Sequence, residues 1–182
     1  MSQVISRRSF LKYSAVAALA VAGSSMLSGC ENGGGSIIIN PNQPSGGIGK
    51  TLNVIGSHTL TEAKYDADAK TLSCKLEITC KQKAGLSVVP ARFEIRVTNA
   101  AGTTTIYNTA KGSDLKLSEA TNFLGKGETL KTTLKVSGIE LAKTDNVVVR
   151  FWPRPVSSVS DDTYQDIFAT WKFTGAEAGV TE

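Results

Sequence analysis

The chain predicts an all-β fold, a single antiparallel β-sandwich of about seven strands that follows a signal segment and a flexible linker. From about Thr51 onward, short runs alternate apolar and polar side chains, which is typical of strands with one buried face. Turn-forming residues separate these runs, and no helical pattern longer than two turns occurs among them. Several short strands at this spacing favour two packed sheets.

The first 29 residues are predicted to be a processing signal. Residues 6–12, SRRSFLK, precede an apolar run that ends near Gly23 and is shorter than the roughly 20 residues that a membrane-spanning helix needs. This motif resembles the bacterial twin-arginine signal. The resemblance implies that the twin-arginine translocase exports the chain and that Arg7, Arg8, Phe10 and Leu11 carry the signal. The alternative is an ordinary secretion signal with a chance pair of arginines.

A possible lipid attachment site follows directly. Residues 27–30, LSGC, stand immediately after the apolar run. They resemble the bacterial lipobox, in which signal peptidase II cleaves before the Cys and the thiol carries diacylglycerol. The resemblance implies that Cys30 holds the mature chain on a membrane, because two acyl chains give durable anchoring. The alternative is an A-x-A type of cleavage site followed by an unrelated Cys.

The charge of the mature chain excludes one class of partner. The whole chain has a formal charge of +4, with 20 basic and 16 acidic residues. The first 29 residues contain three of the basic residues and no acidic one, so the mature chain has a formal charge of +1. A nucleic-acid-binding domain carries a large basic excess, and we therefore expect no nucleic-acid partner.

Residues 30–50 are predicted to be the lipidated Cys and a tether. Residues 31–50 contain six Gly and two Pro, a composition typical of flexible coil with an r.m.s. span of roughly 25 Å. Ile37, Ile38 and Ile39 are unusual in a solvated linker. Whether they add an edge strand to the domain or dock on it stays open.

The sandwich is predicted to span residues 51–176, with residues 177–182 as a C-terminal tail. Its clearest strand is 72–81, where every even position is apolar and every odd position is polar. The other predicted strands are 92–98, 130–136, 147–151 and 167–173, with weaker runs at 52–55, 103–107 and 115–117. Turn signals lie at 65–68, 99–102, 125–127, 144–146 and 161–162.

Residues 123–130, FLGKGETL, place a G-x-G-E turn before an alternating strand. This segment and the strand rhythm resemble immunoglobulin-like or fibronectin-type modules displayed on bacterial surfaces. The resemblance covers about two thirds of the chain and implies a module that binds a partner or serves structurally. The chain departs from antibody domains because both domain cysteines precede both tryptophans.

Cys74 and Cys80 share the apolar phase of one predicted strand. Six residues of extended chain separate their Cα atoms by roughly 20 Å, whereas a disulfide needs Cα atoms within about 7 Å. We therefore favour two buried thiols. A disulfide and a redox or metal role are the alternatives.

No catalytic, metal or cofactor site is predicted. His58 is the one histidine and is interpreted as a surface or hydrogen-bonded residue, since zinc needs three or four protein ligands. A Ser-His-carboxylate triad lacks its G-x-S-x-G motif. Asp66, Asp68, Asp161 and Asp162 are interpreted as turn residues rather than calcium ligands.

The candidate binding residues are Trp152 and Arg154 in the segment RFWPRP, residues 150–155. Phe151 shares the buried phase of its strand, so Trp152 is expected to point outward between the prolines and arginines. Trp and Arg are the residue types most enriched at binding hot spots. The alternative is that Trp152 covers a sheet edge or stacks on Arg154.

Taken together, the residues predict an extracytoplasmic lipoprotein, anchored to a membrane through Cys30, whose sandwich binds an unknown surface protein or ligand or serves structurally. We expect no enzymatic activity and no cofactor. The alternatives are an accessory subunit of an envelope enzyme complex and an enzyme whose site is assembled from distant strands.

Overall fold

The computed structural model describes residues 43–155 and 168–181, with the backbone alone at Arg154 and Pro155. The export signal, Cys30, the isoleucines at 37–39 and the aspartates at 161 and 162 lie outside the described residues. The strands are β1 Ser45–Gly46, β2 Thr51–Asn53, β3 Gly56–Asp66, β4 Thr71–Cys80, β5 Leu86–Val88, β6 Phe93–Thr98, β7 Thr104–Tyr107, β8 Leu115–Leu117, β9 Thr121–Leu124, β10 Thr129–Ser137, β11 Asn146–Phe151, β12 Arg154–Pro155 and β13 Ala169–Thr174. Two single-turn 3₁₀ helices span Pro90–Arg92 and Thr109–Lys111.

These strands form two five-stranded sheets and a small third sheet. The first sheet has the order β1-β13-β11-β6-β7, and the second has the order β2-β3-β4-β10-β8. All pairs in both sheets are antiparallel except β1 with β13. The order β3-β4-β10-β8 opposite β13-β11-β6 matches the two sheets of an immunoglobulin-type sandwich. The predicted all-β immunoglobulin-like fold is confirmed.

The core lies between the two large sheets and is built from the alternating positions that the sequence predicted. Along β4, Leu72, Cys74, Leu76, Ile78 and Cys80 are all buried. The facing sheet contributes the inward positions of β6, β11 and β13, including Phe93, Phe151 and Trp171. Each fully buried large apolar side chain stabilises the fold by about 1.5–3 kcal/mol relative to exposure.

The structure contains more strands than the sequence predicted. Among the described residues there are thirteen, of which five are only two or three residues long. The longest strand, β3, was not predicted, because the weak run at 52–55 corresponds to β2 and ends before β3 begins. Its side-chain alternation changes phase because the pairing with β4 shifts register between Leu60 and Glu62. Leu60 is buried before this bulge and Ala63 after it, so no single period-two pattern covers the strand.

Residues on both sides of the predicted domain pack against it. Ser45 and Gly46, in the segment predicted as tether, form β1 on the edge of the first sheet. Trp171 donates its Nε1–H to the Lys50 carbonyl at 3.1 Å. In the segment predicted as a tail, Ala178 is buried and its carbonyl accepts from the Tyr65 N–H at 2.8 Å. The sandwich therefore includes residues from Ser45 to beyond the end of β13.

The two ends of the sandwich differ. At one end, three connections between strands of the large sheets contribute β5, β9 and β12, which pair in the order β12-β5-β9; we name this end the loop pole. The opposite end, the far pole, carries the turn after β3, the connections 99–103 and 138–145, and residues 175–181. Since β13 begins at the loop pole and β1 runs parallel to it, the chain before Ser45 leaves the sandwich at the loop pole.

Candidate partner-binding surface

Trp152 stands directly after β11 at the loop pole. Phe151 is fully buried, as its phase predicted, and Trp152 is half-buried. The Trp152 N–H donates to the Arg92 carbonyl at 2.9 Å, which fixes the backbone of the candidate residue against the segment that leads into β6. Arg154 lies in β12, paired with Ser87. The structure therefore places both predicted binding residues at the loop pole.

The indole of Trp152 belongs to a row of three side chains. Its ring lies 5.5 Å from the ring of Phe168 between centroids. On Phe168, the Arg150 guanidinium carbon lies 4.8 Å from the ring centroid, a cation–π geometry. Trp152 thus packs on Phe168, a contact that the sequence did not predict. Phe168 precedes β13 and brings the two sides of the long connection between β11 and β13 together.

A buried carboxylate organises the arginines beside this row. Glu94 Oε1 accepts from Arg96 Nε at 2.6 Å and lies 3.5 Å from Arg150 Nη1. Its Oε2 accepts from the Asn108 side-chain amide at 3.2 Å. The side chain of Glu94 is only 10% exposed, although its strand position faces away from the core. Paired and hydrogen-bonded in this way, these groups hold Arg150 in a defined position under Phe168.

A small recess opens next to Trp152. It has a volume of about 310 Å³ and is lined by the Trp152 ring together with Arg92, Glu94 and Asn108. This volume lies at the lower end of the range for small-molecule pockets. Aromatic, cationic and amide groups together suit a protruding polar side chain of a protein partner.

A larger groove of about 1200 Å³ occupies the far pole, and the sequence did not predict it. Its polar groups are engaged within the fold: Tyr65 donates its hydroxyl to the Ile139 carbonyl at 2.8 Å, and Lys70 pairs with Glu140 at 2.8 Å. Burial raises the pKa of Tyr107, and the charge of Glu140 adds to this effect. Tyr107 is therefore protonated near neutral pH.

The two cysteines of β4 are free and buried. Burial raises the pKa of the Cys74 thiol to about 12, so this group stays a thiol near neutral pH. The alternative of a disulfide between Cys74 and Cys80 is wrong, because both lie on one extended strand. Within residues 43–155 and 168–181, no group of three His, Cys, Asp or Glu side chains is arranged to hold a metal ion.

His58 is a buried residue of β3. Its Nε2 lies 2.8 Å from the Val54 carbonyl, and its ring meets the edge of Phe151 at 5.1 Å between centroids. Nδ1 has no hydrogen-bond partner among the described residues. Desolvation lowers the pKa of His58 to about 4, so the imidazole is neutral at pH 7. The sequence predicted that His58 lies at the surface or is hydrogen-bonded. The hydrogen-bonded environment is confirmed, and the surface environment is wrong.

Asp66 has the turn role that the sequence predicted. Its Oδ1 accepts from the Ala69 N–H at 2.9 Å, which closes the turn between β3 and β4. Glu128 closes the predicted G-x-G-E turn in the same way, with Oε2 accepting from the Gly125 N–H at 2.6 Å, and Gly127 adopts φ 87°. Each of these carboxylates therefore stabilises its own turn.

No helix in the described part of the chain is long and apolar enough to cross a membrane. Residues 4–24 match the model of the twin-arginine translocation pathway signal sequence. The predicted export signal is thereby confirmed, and the chain is exported across the cytoplasmic membrane by the twin-arginine translocase. Cys30 lies outside this match, and its lipidation stays a prediction.

Several solved structures are similar in fold. The yjhA protein from Bacillus subtilis is 12% identical, with a TM-score of 0.43 and coverage of 72% of this chain and 99% of that chain. The archaellum periplasmic stator protein FlaG from Sulfolobus acidocaldarius is 10% identical, with a TM-score of 0.40 and coverage of 65% and 99%. The stator complex of FlaF and FlaG from the same organism matches at 12% identity and a TM-score of 0.39, covering 68% and 91%. No curated protein matches the sequence.

Proposed function

We propose that this chain is a lipid-anchored binding module, held outside the cytoplasm through Cys30, that binds a protein partner with the surface around Trp152. The observation that carries the proposal is the row of Trp152, Phe168 and Arg150 beside an open recess. Half-buried aromatic rings held by backbone and ionic contacts lose little conformational entropy on binding. Such preorganised Trp and Arg side chains are the usual centres of protein interfaces.

The charge arrangement favours a polar contact in the partner. Glu94 is shared between Arg96 and Arg150, and Arg92 lines the recess beside them. A partner carboxylate or backbone carbonyl that enters the recess would meet Arg92 and the Asn108 amide. We propose no catalytic role for this surface, since its titratable groups are engaged in structural pairs.

The proposed anchor is tested by Cys30→Ala in the full-length chain. We expect the wild-type protein in the membrane fraction and the variant in the soluble extracytoplasmic fraction, because the described domain supplies no spanning helix. Mass spectrometry of the mature N-terminus measures the acyl mass directly. Two results together would contradict the anchor: the variant stays in the membrane fraction, and the wild-type chain has an unmodified Cys30.

The proposed binding surface is tested by crosslinking on intact cells. We expect a protein captured by the wild-type chain to be lost from a variant that combines Trp152→Ala with Arg154→Ala. Tyr107→Ala, which changes a partly buried aromatic residue at the far pole, is the matched control and should retain the partner. Equal capture by the wild type and the loop-pole variant would overturn this part of the proposal.

An accessory subunit of an envelope enzyme complex is a second form of the same proposal, with an enzyme as the partner. The crosslinking experiment separates the two forms, because it identifies the captured protein.

A further inference from the structure

A second feature of the loop pole lies at its tip, apart from the Trp152 surface. Phe123 of β9 is the exposed large apolar residue of the described chain, with 56% of its surface accessible. Its ring lies against Gly85, where an added Cβ would overlap the ring. A glycine at this position therefore leaves room for the ring to rest on the neighbouring turn.

The backbone of Phe123 is held by Thr121. The Phe123 N–H donates to Thr121 Oγ1 at 3.1 Å, and that hydroxyl donates to the Phe123 carbonyl at 2.8 Å. Since the ring is supported by Gly85 and the backbone by Thr121, the exposed phenyl group is presented in one place. A rigid apolar side chain loses little conformational entropy when it enters an apolar environment.

Three lysines lie on the turns that follow β4 and β9, and Gly85 of the first turn contacts the Phe123 ring. Lys83 lies in the turn that the Gly85 N–H closes on the Gln82 carbonyl at 3.2 Å. Lys81 and Lys126 are neighbours because Cys80 and Gly127 are linked by a 2.8 Å backbone hydrogen bond. Lys81 also donates its Nζ to Asn53 Oδ1 at 3.4 Å. All three lysines are exposed.

One described carboxylate lies among these lysines. It belongs to Glu128, which accepts from the Gly125 N–H at 2.6 Å. Counted over the residues that the structure describes, this tip therefore combines one exposed aromatic ring with more basic than acidic side chains. This combination is complementary to an anionic bilayer surface, which attracts basic side chains and accommodates aromatic rings in its headgroup layer.

The described chain enters the sandwich at the loop pole. The Pro44 carbonyl accepts from the Thr170 N–H at 3.2 Å, at the start of β13 and therefore at the loop pole. Cys30 and Gln43 are 13 positions apart in the sequence, and a chain of this length spans at most about 45 Å. A membrane that holds the acyl chains of Cys30 is thus within reach of the loop pole.

We propose that the tip of the loop pole docks on the anionic lipid headgroups of the membrane that carries the anchor. Phe123 enters the headgroup layer, and Lys81, Lys83 and Lys126 contact lipid phosphates. This proposal rests on the proposed lipidation of Cys30, which supplies the high local concentration that a weak surface contact needs. Docking would orient the domain with its far pole away from the membrane.

The test uses the mature chain from position 30 with Cys30→Ala, so that neither an acyl chain nor the basic signal segment contributes. We expect it to cosediment with vesicles of phosphatidylcholine containing 30 mol% phosphatidylglycerol, and to cosediment much less with pure phosphatidylcholine. Each lysine removed should weaken binding about fivefold. Phe123→Ala should also weaken binding, and Phe123→Trp should restore it, because both aromatic rings suit the headgroup layer.

A matched control keeps the net charge equal. The pair Lys83→Glu with Lys126→Glu should abolish binding, whereas Lys64→Glu with Lys135→Glu, on exposed positions of β3 and β10, should weaken it much less. Equal loss in both pairs, equal binding to neutral vesicles, or no binding at all would overturn the proposal. A photo-crosslinker at position 123 that captures a protein on intact cells instead of lipid would also overturn it. None of these outcomes depends on whether Cys30 is lipidated, which the fractionation experiment decides separately.

Discussion

At the scale of single residues, the buried imidazole of His58 links stability to pH. The pKa of His58 falls from 6.5 to about 4 on folding because burial disfavours the charged ring. Between these two pH values the unfolded chain binds a proton that the folded chain does not. The stabilisation is therefore complete above about pH 6.5 and is lost as the pH falls toward 4, by up to about 3 kcal/mol.

We expect His58→Gln to remove this part of the pH dependence. The Gln amide retains a donor for the Val54 carbonyl and does not titrate. Urea unfolding at intervals between pH 7 and pH 4 measures the slope for each chain. The wild type and the variant contain the same carboxylates, so a difference between their slopes comes from His58. Identical slopes would show that His58 does not cause the pH dependence.

Glu94 is the residue whose removal should cost most on the outer face of the first sheet. Glu94→Ala takes the carboxylate from Arg96, Arg150 and Asn108 at once. We expect a loss of roughly 3 kcal/mol in the free energy of unfolding, because largely buried guanidinium groups lose their counter-charge. Glu62→Ala breaks an ion pair of which both side chains are at least half exposed and should cost less than about 1 kcal/mol. Equal losses in the two variants would contradict this account.

The residues that the sequence predicted well are those whose environment follows from strand alternation. Cys74, Cys80 and Phe151 are buried as predicted. Glu94 and Phe123 are different, because the burial of one and the exposure of the other depend on side chains from other strands. Their roles follow from tertiary contacts that no local pattern contains.

At the scale of elements, β1 shows how a short strand depends on one glycine. A Cβ on Gly46 would lie 2.7 Å from Lys50 Cβ, whereas a Cβ on Gly47 would have its nearest contact at 3.8 Å. We expect Gly46→Ala to displace β1 from β13 and Gly47→Ala to leave it in place. Hydrogen exchange of the Thr170 amide, which donates to the Pro44 carbonyl, reports the difference. Unchanged protection in Gly46→Ala would contradict the expectation.

Elements with regular alternation were predicted and those without it were missed. β4, β6, β10 and β11 were predicted within one or two residues because the apolar side chains of each lie on a single face. β3 was missed because its bulge exchanges the two faces midway. β5 and β9 pair with each other, so their stability comes from a distant segment rather than from their own short sequences.

At the scale of the whole molecule, the sandwich contains no disulfide within the residues described. An antibody-type domain joins its sheets by a disulfide, whereas here the joint is made by the buried apolar faces of both sheets alone. Folding of this described domain therefore requires no disulfide formation.

We therefore expect the thermal midpoint of the mature chain to be unchanged by a reducing agent. Scanning calorimetry with and without dithiothreitol measures the midpoint. The double variant Cys74→Ala with Cys80→Ala should also show no effect of the reagent. Its midpoint should be lower than that of the wild type because core packing is lost. A lower midpoint in dithiothreitol for the wild type alone would reveal a cross-link.

The third sheet limits the sequence changes that the loop pole can tolerate. In many sandwich proteins the loops at one end change independently, and each tolerates insertions or new residues without regard to the others. Here β9, β5 and β12 are joined in one ladder, so a substitution in one connection alters the backbone that the other two require. Related chains should therefore show compensating changes across these three segments, and a library that randomises them separately should yield few folded members.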